Sequence, residues 1–205
     1  MKKIYFSKIN NLAKIAEASE ILENDGILIH PTENLYGFGA SIFSNTAIQK
    51  ISEMKNRENQ MGFIILIGSK NQLNLLVDEI GELEKKAMLN YWPGPLTIIL
   101  KAKKKFWTSP FCKNKTVAVR LVGNPITREI ITKFGKAIIS TSVNVSGEKV
   151  LLSTDNIANR FGKFVDGFVI DNVHKFFNQP STIIKFENNH LIILREGAKK
   201  ICLNC

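Results

Sequence analysis

Gly26-Ile27-Leu28-Ile29-His30-Pro31-Thr32-Glu33-Asn34-Leu35-Tyr36-Gly37-Phe38-Gly39 passes from a short apolar segment straight into a small polar loop. The apolar run reads as a buried strand, and the helical pattern after the loop ends in Lys55-Asn56-Arg57. A strand thus delivers hydroxyl and amide groups, and a helix brings two cations back. Such a set suits a small anionic ligand better than it suits a core. Tyr36-Gly37-Phe38-Gly39 reads as a two-glycine turn, too short for a dinucleotide fingerprint.

Working outward, Asn11 to Asn24 has the pattern of an amphipathic helix, with Leu12, Ile15, Ala16, Ile21 and Leu22 on one face. Asn45 is expected to cap the next helix, with Ala47, Ile48, Ile51 and Met54 inward. Lys55 and Arg57 at its C-terminal end also meet the favourable pole of the helix dipole, which gives them a purely structural reason as well. Phe63-Ile64-Ile65-Leu66-Ile67 is continuous and apolar, the mark of a strand covered on both faces.

Helical patterns at 72–77 and 82–91 lead to the break Trp92-Pro93-Gly94-Pro95, and Leu96 to Lys101 is the next strand. Thr116 to Leu121 alternates as a strand carrying Arg120. Asn124-Pro125 opens a helix as N-cap and first helical position, and Phe134-Gly135 closes it. Ala137 to Thr141 runs as a strand into Ser142-Val143-Asn144, followed by a short helix at 155–161. Strands near 168–171, 181–186 and 191–194 finish the pattern. Interleaved strands and helices predict an α/β layered domain, and the short turns between the closing strands require a mixed sheet. One domain over 1–205 is expected, with a core from about 8 to 198 and a short tail at 199–205.

The 205 residues suffice for one well-formed core, and 44% hydrophobic with 22% charged residues describes an ordinary soluble globular chain. The net charge of +10 points to a polyanionic partner or to solvated surface lysines. Three cysteines, Cys112, Cys202 and Cys205, give no disulfide framework and fit a reducing cytosol. The Cys202-Leu203-Asn204-Cys205 spacing has no second pair and reads as a frayed tail. The N-terminus has no signal-peptide apolar region, and no stretch approaches the ~18 apolar residues of a membrane span. A cytoplasmic protein without a membrane partner is expected.

There is no P-loop and no Gly-x-Gly-x-x-Gly after a strand. His30, His174 and His190 are scattered and read as structural or surface residues. What recurs is a strand ending in small polar residues: Thr32, Ser142 with Asn144, and Ser181-Thr182. Arg120 and Arg195 lie near further strand ends. Ligands of layered α/β folds gather there, so these groups with Lys55 and Arg57 make a cleft able to hold phosphates and a carboxylate.

The motifs Pro31-Thr32-Glu33-Asn34-Leu35-Tyr36-Gly37, Lys55-Asn56-Arg57, Trp92-Pro93-Gly94-Pro95-Leu96-Thr97, Thr116-Val117-Ala118-Val119-Arg120, Ser142-Val143-Asn144, Pro180-Ser181-Thr182 and Arg195-Glu196-Gly197 stand in a familiar order. In order and spacing the chain resembles the YrdC family of threonylcarbamoyl-AMP synthases, over nearly all of Gly26 to Gly197. The resemblance implies a YrdC-like domain with a twisted mixed sheet flanked by helices. It implies synthesis of L-threonylcarbamoyl-AMP from L-threonine, bicarbonate and ATP with release of pyrophosphate. Other proteins would then move the threonylcarbamoyl group onto tRNA.

Lys55, Arg57, Ser142 and Asn144 match the family's catalytic Lys-x-Arg and Ser-x-Asn signature. Thr32, Arg120, Ser142 and Ser181, with Arg57 nearby, are expected to face threonine. Lys55, Thr116, Asn144 and Arg195 are expected to face ATP, with Asn59 and Ser153 as further nucleotide contacts. Magnesium is expected to ride on the ATP phosphates, with no metal site built from protein ligands. Departures are Asn34 for the usual Thr, Val143 for the usual Ala, and the missing prolines after Arg57 and inside Arg195-Glu196-Gly197. The rival reading is a non-catalytic RNA-binding module on the same fold, supported by Lys101-Ala102-Lys103-Lys104-Lys105-Phe106-Trp107. Carbamoyl transfer in hydrogenase maturation is a nearer rival, but those relatives carry such modules inside much larger chains.

Overall fold

A computed structural model describes residues 1–7, 11–56, 63–174 and 176–202. Five helices of eight or more residues stand among the strands: α1 (Leu12–Glu23), α2 (Asn45–Met54), α3 (Glu82–Tyr91), α4 (Pro125–Phe134) and α5 (Thr154–Phe161). The strands are β1 (Lys2–Phe6), β2 (Leu28–Pro31), β3 (Tyr36–Ser41), β4 (Ile64–Ile67), β5 (Leu96–Lys101), β6 (Thr116–Leu121), β7 (Ile138–Ser142), β8 (Gly167–Asp171), β9 (Thr182–Glu187) and β10 (His190–Arg195).

All ten join one sheet in the order β1-β8-β2-β3-β7-β4-β6-β5-β9-β10. The β1–β8, β2–β8, β4–β6 and β5–β9 pairs are parallel, and the others are antiparallel. The mixed α/β layered sheet expected from the sequence is the one observed.

Side-chain alternation sorts the strands' residues onto two cores. Ile27, Ile29, Phe38, Ile65, Ile67, Ile139, Phe168 and Ile170 pack with Ala47, Ile48 and Ile51 of α2 and with Ile157 and Phe161 of α5. Leu28, Leu66, Ile138 and Val169 face the other way, onto Ile15, Ala18 and Leu22 of α1 and Ile126, Ile130, Ile131 and Phe134 of α4. Ile65, Leu66 and Ile67 of β4 are therefore buried and apolar because both faces are covered there.

Local chemistry ends the helices where expected in one case and one residue away in another. Asn124 caps α4 by accepting from Thr127 N at 3.1 Å, and Gly135 closes it at φ 74°. For α2 the cap is Ser44, accepting from Ala47 N, and Asn45 is already helical.

Two strands were not visible in the sequence. β1 begins at Lys2, ahead of the core start expected at residue 8, and pairs with β8 through Phe6. Ile4 and Phe6 are buried while Tyr5 is exposed, so a five-residue alternation carries the whole signal. The expected glycine turn at 36–39 is β3, paired with β2 and β7. Glycines weaken a strand pattern, yet here they make room. A Cβ at Gly39 would sit 2.7 Å from His30 Cδ2, and one at Gly37 would sit 2.8 Å from Ser140 Oγ.

The tail is also better anchored than expected: Thr182 Oγ1 donates to Lys199 O, and Tyr91 Oη donates to Cys202 O at 2.7 Å.

Candidate functional site

The α1–α4 layer covers only part of its sheet face. On the rest, a cleft of about 550 Å³ is lined by Gly37, Ile64, Leu66, Arg120, Ser140 and Ser142 from the strands themselves. Register explains the grouping, because Gly37 pairs with Ser142, Ile64 with Ser140, and Leu66 with Arg120. The floor is thus the middle of the sheet rather than strand ends alone. Loops add Thr32, Asn34, Lys113, Asn144, Ser146 and Ser181 as walls, and the end of β10 adds Arg195.

Of the residues expected at a site, Thr32, Lys55, Arg120, Ser142, Asn144, Ser181 and Arg195 come together around this cleft. Thr116 and Ser153 are not among its lining residues. The Thr116 hydroxyl donates to Lys113 O at 2.7 Å, and Ser153 caps α5 by accepting from Asn156 N. Arg57 and Asn59 lie outside the described residues. Ser140, Asn34 and Lys113 were missed: Ser140 sits inside a strand, and the other two carried no pattern of their own.

Lys55 is 3% exposed, and its ammonium group donates to Ser142 O at 2.7 Å, Asn144 O at 2.8 Å and Asn144 Oδ1 at 3.0 Å. Asn144 Oδ1 also accepts from Ser142 Oγ at 2.6 Å, while Asn144 Nδ2 donates to Val145 O and Glu148 O. The amide and the three ammonium protons are therefore fully used. This signature cluster builds the 142–148 loop and places a positive charge beneath it. Thr32 is occupied likewise: its hydroxyl donates to Leu35 O and accepts from Asn34 N and Leu35 N, locking the turn after β2.

The Trp92-Pro93-Gly94-Pro95-Leu96-Thr97 motif, with a cis Trp92-Pro93 bond, works as a bracket behind the cleft. Gly94 O accepts from Arg120 Nε at 3.1 Å, and Pro95 O accepts from Thr182 N at 3.0 Å. Thr97 Oγ1 lies 2.9 Å from Ser181 Oγ. Arg195 then donates to Ser181 O through Nε at 3.0 Å and Nη2 at 2.8 Å. Burial, and next the neighbouring Arg120 charge, push the Arg195 guanidinium below its ordinary value. Among the described residues, no aspartate or glutamate lines the cleft, while Lys55, Lys113, Arg120 and Arg195 do. Such a cleft favours an anion.

His30 lies fully buried beneath this floor, with Nε2 3.2 Å from Ser140 Oγ and Nδ1 3.3 Å from Pro31 O. Burial lowers its pKa to about 4, and Arg120 adds to the fall against the opposing hydrogen bond at Pro31. An unfolded chain takes up this proton at about 6.5. Stability from keeping His30 neutral is therefore complete above pH 6.5 and is lost as pH falls toward 4, by about 3 kcal/mol. Urea denaturation across that range should show the slope, and a His30→Leu variant should lose it. An equal slope in the variant would assign the effect elsewhere.

The basic and aromatic cluster at 101–107 does not form an open stacking platform. Phe106 is buried, Trp107 Nε1 donates to Ala102 O at 3.0 Å, and Lys115 Nζ sits 4.5 Å over the Trp107 ring. Lys105 Nζ covers Phe106 at 4.9 Å. The RNA-binding alternative is not favoured.

Among the described residues, the open face of the mixed sheet thus holds a cationic cleft, an arrangement that suits a small anion. The chain belongs to the Sua5/YciO/YrdC family, whose profile, described as telomere recombination, matches residues 20–197. A threonylcarbamoyl-AMP synthase of Buchnera aphidicola is 31% identical over 176 residues, 84% of this chain and 98% of the relative. Another from Klebsiella pneumoniae is 30% identical over 182 residues, covering 85% of this chain and 93% of the relative. The crystal structure of P. abyssi Sua5 complexed with L-threonine matches with a TM-score of 0.84 at 28% identity, over 96% of this chain. That alignment spans 57% of the P. abyssi chain, so this protein covers little more than half its length. E. coli YciO shares the fold, with a TM-score of 0.84 at 23% identity over 98% of this chain and 97% of that one.

Proposed function

We propose that the protein makes L-threonylcarbamoyl-AMP from L-threonine, bicarbonate and ATP, releasing pyrophosphate, as a step toward threonylcarbamoyladenosine in tRNA. The observation that carries this reading is the cleft with Lys55, Lys113, Arg120 and Arg195 in its lining and no carboxylate among its described lining residues. The synthase names of the relatives and the threonine bound by P. abyssi Sua5 support it.

Threonine's amine forms a bond to the bicarbonate carbon, water leaves, and the carbamate remains. A carbamate oxygen then bonds to the α-phosphorus of ATP as the bond to the β-phosphate oxygen breaks. The second step needs no proton from the protein, so positioning and charge stabilisation carry it. In this reading Arg120 takes the amino-acid carboxylate, with Ser181 and Arg195, which donates to the Ser181 hydroxyl, in the same lining. The Lys55–Ser142–Asn144 cluster shapes the loop facing the phosphates. Arg57, Asn59, Thr116 and Ser153 remain proposed contacts in this reading.

Magnesium enters as the counterion of the ATP phosphates. A cleft lined by hydroxyl, amide and cationic groups suits a phosphate-borne ion with few protein ligands. No described helix is long and apolar enough to cross a membrane. The reading implies the cytosol, and proteins that carry the threonylcarbamoyl group to tRNA as the consumers of the product.

Pyrophosphate release from ATP should require threonine and bicarbonate together. Equal release without threonine would sink the synthase reading.

A further inference from the structure

Arg120 is 4% exposed, so how its guanidinium is held decides what it can offer a ligand. A guanidinium has five N–H groups in a fixed plane. The Nε proton goes to Gly94 O at 3.1 Å. Nη2 gives one proton to Asn34 Oδ1 at 2.5 Å and faces Glu33 Oε1 in a buried ion pair. Nη1 makes no hydrogen bond within the described residues, and Arg120 lines the cleft.

Glu33 is itself fixed from behind. Its Oε2 accepts from Gly123 N at 3.0 Å and Asn124 N at 3.2 Å, at the start of α4. Those amides and the helix's positive pole hold the carboxylate oriented. Gly123 is required there, since a Cβ would come within 2.9 Å of the Glu33 carboxyl carbon. Asn34 also reaches the far wall, where its Nδ2 donates to Gln179 O at 2.6 Å, while Phe177 N donates to Glu33 O and Asn178 N to Asn34 O. One side chain thus ties Arg120 to the segment that leads into Ser181. The asparagine amide accepts from Arg120 at Oδ1 and donates to Gln179 O at Nδ2, two atoms that span the gap, whereas a threonine hydroxyl would have to meet both partners at one oxygen.

We propose that Glu33 and Asn34 are positioning residues that clamp Arg120 with the two Nη1 protons left for the carboxylate of the amino-acid substrate. Glu33 balances the buried charge, and Asn34 sets the distance between Arg120 and the Ser181 wall. The inference rests on the synthase reading and deepens it at the threonine end of the cleft.

Steady-state kinetics of the full chain test it, with threonine varied at saturating ATP and bicarbonate, and ATP varied at saturating threonine. Glu33→Gln, Asn34→Ala and Gly123→Ala should each raise the threonine KM by ~10-fold or more, the scale for a disturbed charge-assisted hydrogen bond. The ATP KM should stay within about twofold, because uniform loss of structure would move both. Glu33→Asp should recover part of the threonine KM by restoring the charge. Gly123→Ala displaces the carboxylate without removing it, so it decides the matter if Glu33→Gln does not fold. Unchanged threonine KM in the folded variants, or equal rises for both substrates, overturns the clamp while wild-type turnover leaves the synthase reading standing. Wild-type protein with no threonine-dependent turnover overturns both.

Discussion

Replacing Lys55 by methionine should lower threonine-dependent pyrophosphate release by about 10²-fold or more, the scale for losing a preorganised stabilising group. The side chain is buried and its three donors all go to the Ser142–Asn144 loop. Methionine fills much the same space but leaves Ser142 O and Asn144 O without that partner, and the loop's charge is lost. Unmet buried acceptors cost about 1–3 kcal/mol each, so chemical denaturation should show a drop of that order as well. The two readouts separate the roles of Lys55. Stability loss with normal turnover would make it a purely structural bolt, and loss of neither would show that the 142–148 loop is held by other contacts.

Gly197→Ala should be the most damaging small change at the cleft. The added Cβ would run into Pro180 O and lie 2.5 Å from Ser181 C and 2.6 Å from Thr182 N. All three are backbone atoms, so no side chain can swing aside. Ala198 N donates to Pro180 O at 2.9 Å across the same gap, and Arg195 grips Ser181 just before it. Something must give, and what gives is the wall that carries Ser181 and Arg195. Overpacking of this kind costs about 1–3 kcal/mol. A displacement near 1 Å can cost ~10²-fold in rate. Thermal denaturation and pyrophosphate release should both fall; wild-type values for both would mean that the 195–198 segment moves freely.

Much of the layered architecture was legible because the strands carry complete patterns. Ile65 to Ile67 is apolar throughout since the two cores cover opposite faces, and α4 is marked by the Asn124 side-chain cap, Pro125 and the left-handed backbone of Gly135. β3 was hidden because Gly37 and Gly39 serve His30 and Ser140 rather than a turn. β1 was hidden because an edge strand buries only Ile4 and Phe6.

The site shows a similar division. Motif order brought Lys55, Arg120, Ser142, Asn144, Ser181 and Arg195 to one cleft, but residue type alone could not separate a group that meets ligand from one that holds its neighbour. Lys55 and Asn144 use their hydrogen bonds on each other's loop, and Thr32 uses its own on a turn. Glu33 and Tyr36 had no assignable role from sequence. Their partners lie about 90 and 135 residues away, Glu33 at Arg120 and Gly123, and Tyr36 Oη accepting from Asp171 N at 3.2 Å. Contacts at such separations leave no periodicity to read.

The most direct test is the identity of the product. With carbon-labelled bicarbonate, threonine and ATP, mass spectrometry should find one adenylate that contains AMP, threonine and the labelled carbon, formed in step with pyrophosphate. An adenylate of threonine without that carbon, or ADP in place of AMP and pyrophosphate, would contradict threonylcarbamoyl-AMP synthesis.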